Sequence, residues 1–193
     1  MGDKIRILGI SGSLRKGSYN TAALQAAAGL VPEDAEIEIF DISGLPNFDQ
    51  DSEKDPPAKV TELKRKIREA DAVIFSSPEY NYSVPGFLKN AIDWASRPYG
   101  DSAWDGKPAA IMGASPGAIG TARMQYHLRQ IMVFLNMHPL NKPEVMINNC
   151  TSKFNEQGEL TDEKTKEFIA DMLQKLVDWT VRIRPGERSA GSA

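Results

Sequence analysis

Three apolar runs each break into a loop of small, cationic or aromatic residues and then into a helical pattern, and this repetition constrains the fold more than any other feature. Ile5-Arg6-Ile7-Leu8-Gly9-Ile10 leads through a Gly/Ser loop into Ala and Leu at helical spacing over about residues 20–30. Ala72-Val73-Ile74-Phe75 leads through Ser77-Pro78-Glu79-Tyr80-Asn81-Tyr82-Ser83 into a helical pattern over 84–96, with Pro85 near its first position. Ala109-Ala110-Ile111-Met112-Gly113 leads through Ser115-Pro116-Gly117-Ala118-Ile119-Gly120 into a helix over 121–136.

Two more strands complete the set. Glu36-Ile37-Glu38-Ile39-Phe40 alternates like a half-buried strand, and Val145-Met146-Ile147 is a weaker candidate. Helical patterns cover 57–70 and 162–182, the latter with Phe168, Ile169, Met172, Leu173, Leu176 and Trp179 on one stripe. Strands alternating with helices predict an α/β fold with a five-stranded parallel sheet of order 2-1-3-4-5, covered by helices on both faces. Ligands in such sheets sit beyond the carboxyl ends of the strands, where the strand order reverses. The loops at 11–19, 77–84 and 114–120 therefore converge on one expected site.

The 193 residues suit a single domain, expected over 1–184, with a disordered Gly/Ser/Ala tail at 185–193. A net charge of −3 gives no general attraction for a polyanion, and the densest basic cluster, Lys64-Arg65-Lys66, alternates with Glu62 and Glu69 like a solvated helix face. Nucleic acid is not an expected partner. Cys150 is the only cysteine, so no internal disulfide forms, in keeping with a reducing compartment. No apolar stretch reaches 18 residues, and the chain enters its first strand almost at once, so a cytoplasmic location and no membrane partner are expected.

The first loop suits an anion. Ser11, Ser13, Ser18 and Thr21 supply hydroxyls, Asn20 an amide, Arg15 a fixed cation, and the helix after them unpaired N–H groups with partial positive charge. The dinucleotide fingerprint fails because Ser11 stands where glycine is needed, and the P-loop fails because Ser18 replaces its lysine. The second loop suits a flat heteroaromatic ring: Glu79 to Ser83 offer backbone donors and acceptors plus the Asn81 amide, with Tyr80 and Tyr82 as walls. At the third, Gly117 and Gly120 permit close approach of backbone to a ring, and the next helix offers N–H groups to negative charge on it.

Gly12-Ser13-Leu14-Arg15-Lys16-Gly17-Ser18-Tyr19-Asn20 and Pro78 through Trp94 carry a resemblance, which continues through Arg123 to Gln130 and Asn141 to Glu144. The chain resembles the NADPH-dependent FMN reductase family, especially its chromate, quinone and azo reductase-like members. The resemblance implies a flavodoxin-like three-layer sandwich, with FMN phosphate at Ser11, Ser13, Arg15, Ser18, Asn20 and Thr21. It implies the isoalloxazine ring at Pro78, Glu79, Tyr80, Asn81, Tyr82 and Ser83, with Ser115 and Gly117 at the ring edge. NADPH or NADH would donate hydride, and quinones, flavins, azo compounds or chromate would accept electrons in a ping-pong cycle, with no essential side-chain acid or base and no metal.

The resemblance also implies a homodimer or homotetramer whose chains help wall the flavin pocket. Phe87, Leu88, Ile92 and Trp94 are candidates for an apolar dimer face, and Arg123, Tyr126 and Glu144 for polar contacts between dimers. Three competing functions follow from the same residues: a flavodoxin-like electron carrier, a non-enzymatic flavin-binding module, and a serine hydrolase with Ser11 on a nucleophile elbow. The hydrolase lacks the second glycine of that elbow and has only His127 and His138 to draw on.

Overall fold

Alternation along the buried strands sets the layers. The structure, a computed structural model, describes residues 4–183, and the expected disordered tail at 185–193 lies outside them. Strands β1 (Ile5–Ser11), β3 (Ala72–Ser76) and β4 (Pro108–Ala114) are buried almost end to end. Successive side chains point to opposite faces, so Leu8, Ile10, Val73, Phe75, Ala109 and Ile111 enter one core while Ile7, Ile74, Ala110 and Met112 enter another. Strands apolar on both faces need cover on both. Helices α2 (Ala58–Glu69), α3 (Gly86–Ala95) and α4 (Ala122–Phe134) cover the first face; α1 (Tyr19–Leu30) and α5 (Glu163–Ile183) cover the second.

All pairings are parallel, and with β2 (Ala35–Phe40) beside β1 the main path runs in the expected order, 2-1-3-4-5. The fifth position is divided. His138–Pro139 (β5) pairs with Pro108 and Ala109, while Val145–Ile147 (β6) pairs with Met112 to Ala114. Only the second piece shows in the sequence, because two residues ending in proline have no period to read. Trp179 of α5 holds the first piece in place, donating from Nε1 to the His138 carbonyl at 2.9 Å.

Helix boundaries fall within about two residues of their expected places, though Pro85 precedes α3 as its cap and Gly86 opens the helix. The basic cluster on α2 differs more. Lys64 is 7% exposed and donates to the Asp101 carboxylate at 2.6 Å and to the Arg97 carbonyl, Lys66 pairs with Glu38, and Arg65 pairs with Glu69 at 2.8 Å. The cluster therefore ties α2 to a strand and to the turn after α3, and the expected solvated face is corrected at Lys64. Cys150 is fully buried, and that burial pushes its thiol above the usual range.

Candidate functional site

Short hydrogen bonds across the carboxyl ends of β1, β3 and β4 bring their three loops together. Gly12 N donates to the Ser76 carbonyl at 2.8 Å, and Ser77 N to the Met112 carbonyl at 3.2 Å. Two glycines allow this closeness: a Cβ on Gly12 would meet the Ser77 side chain inside 3.0 Å, and one on Gly113 would meet the Ser77 carbonyl and Thr121. The sheet register places Ser11 opposite Ser76 and Ser76 opposite Met112, so the loops leave from one level.

In the first loop, helix α1 takes several of the expected anion ligands for itself. Ser18 is its N-cap, with Oγ accepting from Asn20 N at 3.2 Å and Thr21 N at 3.4 Å. Ser11 and Thr21 share a hydroxyl hydrogen bond of 2.8 Å. Asn20 is 3% exposed, and its amide donates to the Ala114 carbonyl at 3.0 Å while accepting from Ala114 N at 2.8 Å. The side-chain amide of Asn20, expected to serve an anion, is engaged within the chain: the end of β4 has backbone groups that need partners, and Asn20 supplies them. Ser13 is tied to Ser11, donating from N to Oγ at 3.3 Å, and its Oγ accepts from Arg15 N at 3.4 Å; the exposed Arg15 guanidinium and the N–H groups of exposed Leu14, Lys16 and Gly17 have no partner among the described residues. No carboxylate lies between Ser11 and Ser18, so the loop suits an anion.

The second loop is a hairpin. Tyr80 and Ser83 exchange backbone hydrogen bonds of 3.1 and 2.9 Å around Asn81 and Tyr82, whose φ angles are +50° and +65°. Their own N–H groups make no bond among the described residues. Tyr80 is 47% exposed and forms a T-shaped ring pair with Phe87, and Tyr82 is 66% exposed. Two exposed aromatic rings thus stand beside backbone donors that no described residue occupies. Ser83 Oγ lies 3.0 Å from Nδ1 of exposed His127.

Glu79 does something the sequence does not announce. Its carboxylate, 7% exposed, accepts from Arg123 N at 3.0 Å and Met124 N at 3.1 Å, capping α4, and from Arg123 Nε at 2.6 Å. A cation in the first turn of a helix is unfavourable, and Arg123 is accommodated there by this carboxylate. The expectation that the start of α4 offers its N–H groups to a ring is corrected at Arg123 and Met124, because Glu79 holds them. The third loop is tied down as well: Ser115 N donates to the Ile147 carbonyl at 2.9 Å, Ser115 Oγ accepts from Gly117 N at 3.1 Å, and Asn148 Nδ2 donates to the Ala118 carbonyl at 3.1 Å. Gly117 itself is exposed, and Gly120 takes a φ of +66° that suits glycine.

The other candidate residues sort by burial. Leu88, Ile92 and Trp94 are 0%, 2% and 2% exposed within the chain's own core, so they form no dimer face; Phe87 is half-buried. Arg123 is engaged inside the chain, and the Glu144 carboxylate near Tyr126 raises its hydroxyl above the usual phenol range. Ser11 bonds to Thr21 and to the Ser13 carbonyl, while His127 pairs with Ser83, so the nucleophile elbow has no histidine as a partner. No helix among the described residues is long and apolar enough to cross a membrane.

The donor chemistry fits FMN: a cation-bearing loop without carboxylates and, beside it, an aromatic hairpin whose N–H groups at Asn81 and Tyr82 make no bond among the described residues. The sequence model of the NADPH-dependent FMN reductase family matches residues 5–152. An NAD(P)H-dependent FMN reductase from Pseudomonas aeruginosa is 58% identical over 186 residues, covering 95% of this chain and 100% of its own. A 2-hydroxy-1,4-benzoquinone reductase from a Burkholderia species is 42% identical over 175 residues, covering 91% and 96%. Among solved structures, the flavoenzyme NAD(P)H:(acceptor) oxidoreductase FerB from Paracoccus denitrificans superposes with a TM-score of 0.85 at 38% identity, covering 92% of this chain and 97% of that one.

Proposed function

The chain belongs to the NADPH-dependent FMN reductase family, and on that premise we propose that it passes electrons from NAD(P)H to quinones at the three-loop site. It is an oxidoreductase that uses FMN and NAD(P)H. The observation that carries the site assignment is the convergence of the anion loop and the aromatic hairpin through the Gly12–Ser76 and Ser77–Met112 hydrogen bonds. When bound there, FMN would supply two-electron chemistry between the nicotinamide and the acceptor.

The chain's own residues bind and orient. Arg15, Ser13 and the N–H groups of Leu14, Lys16 and Gly17 would hold the phosphate, with the Ser11–Thr21 pair lining the loop floor and the Ser18 cap and Asn20 shaping it. The segment from Pro78 to Ser83 would hold the ring, with the Asn81 and Tyr82 N–H groups as donors and Tyr80 and Tyr82 as walls, and Ser115 and Gly117 at its far edge. Backbone donors of this kind stabilise charge without a titrating group, so no side-chain acid or base is assigned. Quinones are the first-choice acceptors because a 42% identical relative is a benzoquinone reductase; free flavins, azo compounds and chromate are secondary.

We also propose a homo-oligomer. With Leu88 and Trp94 in the core, the face we choose is α4's: Val133 and Phe134 are each 79% exposed, and a groove of about 740 Å³ between α3 and α4 is lined by Phe48, Ile131 and Leu135. Light scattering at micromolar concentration tests this, and a monomer refutes it. The function is tested by anaerobic titration of the purified protein with NADPH and with NADH. Bleaching of a bound flavin spectrum, restored by a benzoquinone, is the expected result. A protein unable to take up FMN would refute the site, and FMN that stays oxidised with both nucleotides would leave a carrier.

A further inference from the structure

Tyr82 holds a backbone conformation that its own side chain opposes. Asn81 at φ +50° and Tyr82 at φ +65° form the two-residue turn closed by Tyr80 and Ser83. Turns of this left-handed kind place glycine at the second position, and a bulky residue there is a true outlier whose conformation must be enforced from outside. Tyr82 is also 66% exposed, so core packing does not enforce it.

Helix α4 supplies the restraint. The Arg123 guanidinium carbon lies 3.7 Å from the centre of the Tyr82 ring, while Arg123 Nε donates to Glu79 Oε1 at 2.6 Å. Glu79 Oε2 in turn accepts from Arg123 N and Met124 N. One turn further along the same helix, His127 Nδ1 meets Ser83 Oγ at 3.0 Å. Glu79 before the turn and Tyr82 and Ser83 on its far side are thus held against one helix face, at positions 123 and 127. A planar guanidinium can stack and donate in its plane at once, which an ammonium cannot.

We propose that Arg123 is a positioning residue: it clamps the hairpin at 80–83 in its left-handed form and so fixes the direction of the Asn81 and Tyr82 N–H groups. The clamp is a property of the chain alone; its consequence for cofactor binding rests on the FMN site proposed above.

A double-mutant cycle of Arg123→Ala and Tyr82→Gly tests it, because glycine at 82 removes the opposition that the clamp overcomes. The first readout is hydrogen exchange of the Ser83 amide by NMR in the protein as purified, and the second is the rate of FMN release on dilution, followed by fluorescence. Arg123→Ala is expected to speed both about tenfold in the native background and less than threefold in the Tyr82→Gly background. An equal effect in both backgrounds, or none in the first, overturns the clamp. Arg123→Lys reaches Glu79 without the flat stack, so it should fall between; full rescue by lysine would show that charge suffices and would also overturn the clamp. If Arg123→Ala does not fold, the same cycle run with Arg123→Lys decides. Should none of the proteins take up FMN, the cofactor proposal fails, while the exchange rates still judge the clamp.

Discussion

Asn20 on α1 grips Ala114 at the end of β4 with both atoms of its amide, donating at 3.0 Å and accepting at 2.8 Å across 94 residues of sequence. Parallel strands end with backbone groups that the sheet does not pair, and a buried amide is the side chain that satisfies one donor and one acceptor together. Asn20→Ala leaves both Ala114 groups buried without partners, at about 1–3 kcal/mol each. Stability measured by urea unfolding should fall by about 2–6 kcal/mol, with Asn20→Asp no better at neutral pH because its carboxylate faces the Ala114 carbonyl. A loss too small to measure would show that the loops are held by something else.

The two close-approach glycines make an opposite prediction from Gly86. A Cβ at position 113 would sit inside 3.0 Å of the Ser77 carbonyl and the Thr121 side chain, and backbone cannot retreat like the end of a flexible side chain. Gly113→Ala should therefore cost about 1–3 kcal/mol by overpacking and push the second and third loops apart. At Gly86, the first residue of α3, an added Cβ meets nothing within 4 Å. Gly86→Ala should stabilise by about 0.4–1 kcal/mol through the unfolded chain. Thermal midpoints moving in opposite directions support this geometry; both falling would contradict it.

Legibility in the sequence followed the range of the forces involved. Buried strands announce themselves as apolar runs, and each glycine-, serine- or tyrosine-rich break marks a strand end, so the two-sided layers and the position of the three loops were readable from Ile5–Ile10, Ala72–Phe75 and Ala109–Gly113, and the strand order once Glu36–Phe40 and Val145–Ile147 are added. Hidden features depend on partners far away in sequence. Glu79 caps a helix that begins 43 residues later, Lys64 is buried against Asp101 at a distance of 37 residues, and Asn20 is spent on main-chain atoms that no residue pattern displays. The one local sign was Arg123, a cation placed against the helix dipole with no acid near it in sequence.

Asp101 carries the pH dependence of the α2–α3 side. A hydrogen bond from Lys64 holds its carboxyl below the ordinary range, with Arg68 adding to the effect at 2.5 Å. A carboxyl depressed in the folded state contributes stability that is present above its unfolded value, about 3.9, and is lost as the pH falls through the lower folded value. Asp101→Asn should therefore be less stable than the native protein from pH 7 down to about 5, and the gap should close below about 4. Because Asp101 is 54% exposed, solvent screening limits that gap to about 1 kcal/mol. Urea midpoints at pH 7, 5 and 3 measure it, and a gap still undiminished at pH 3 would show that the Lys64–Asp101 charge pair is not its source.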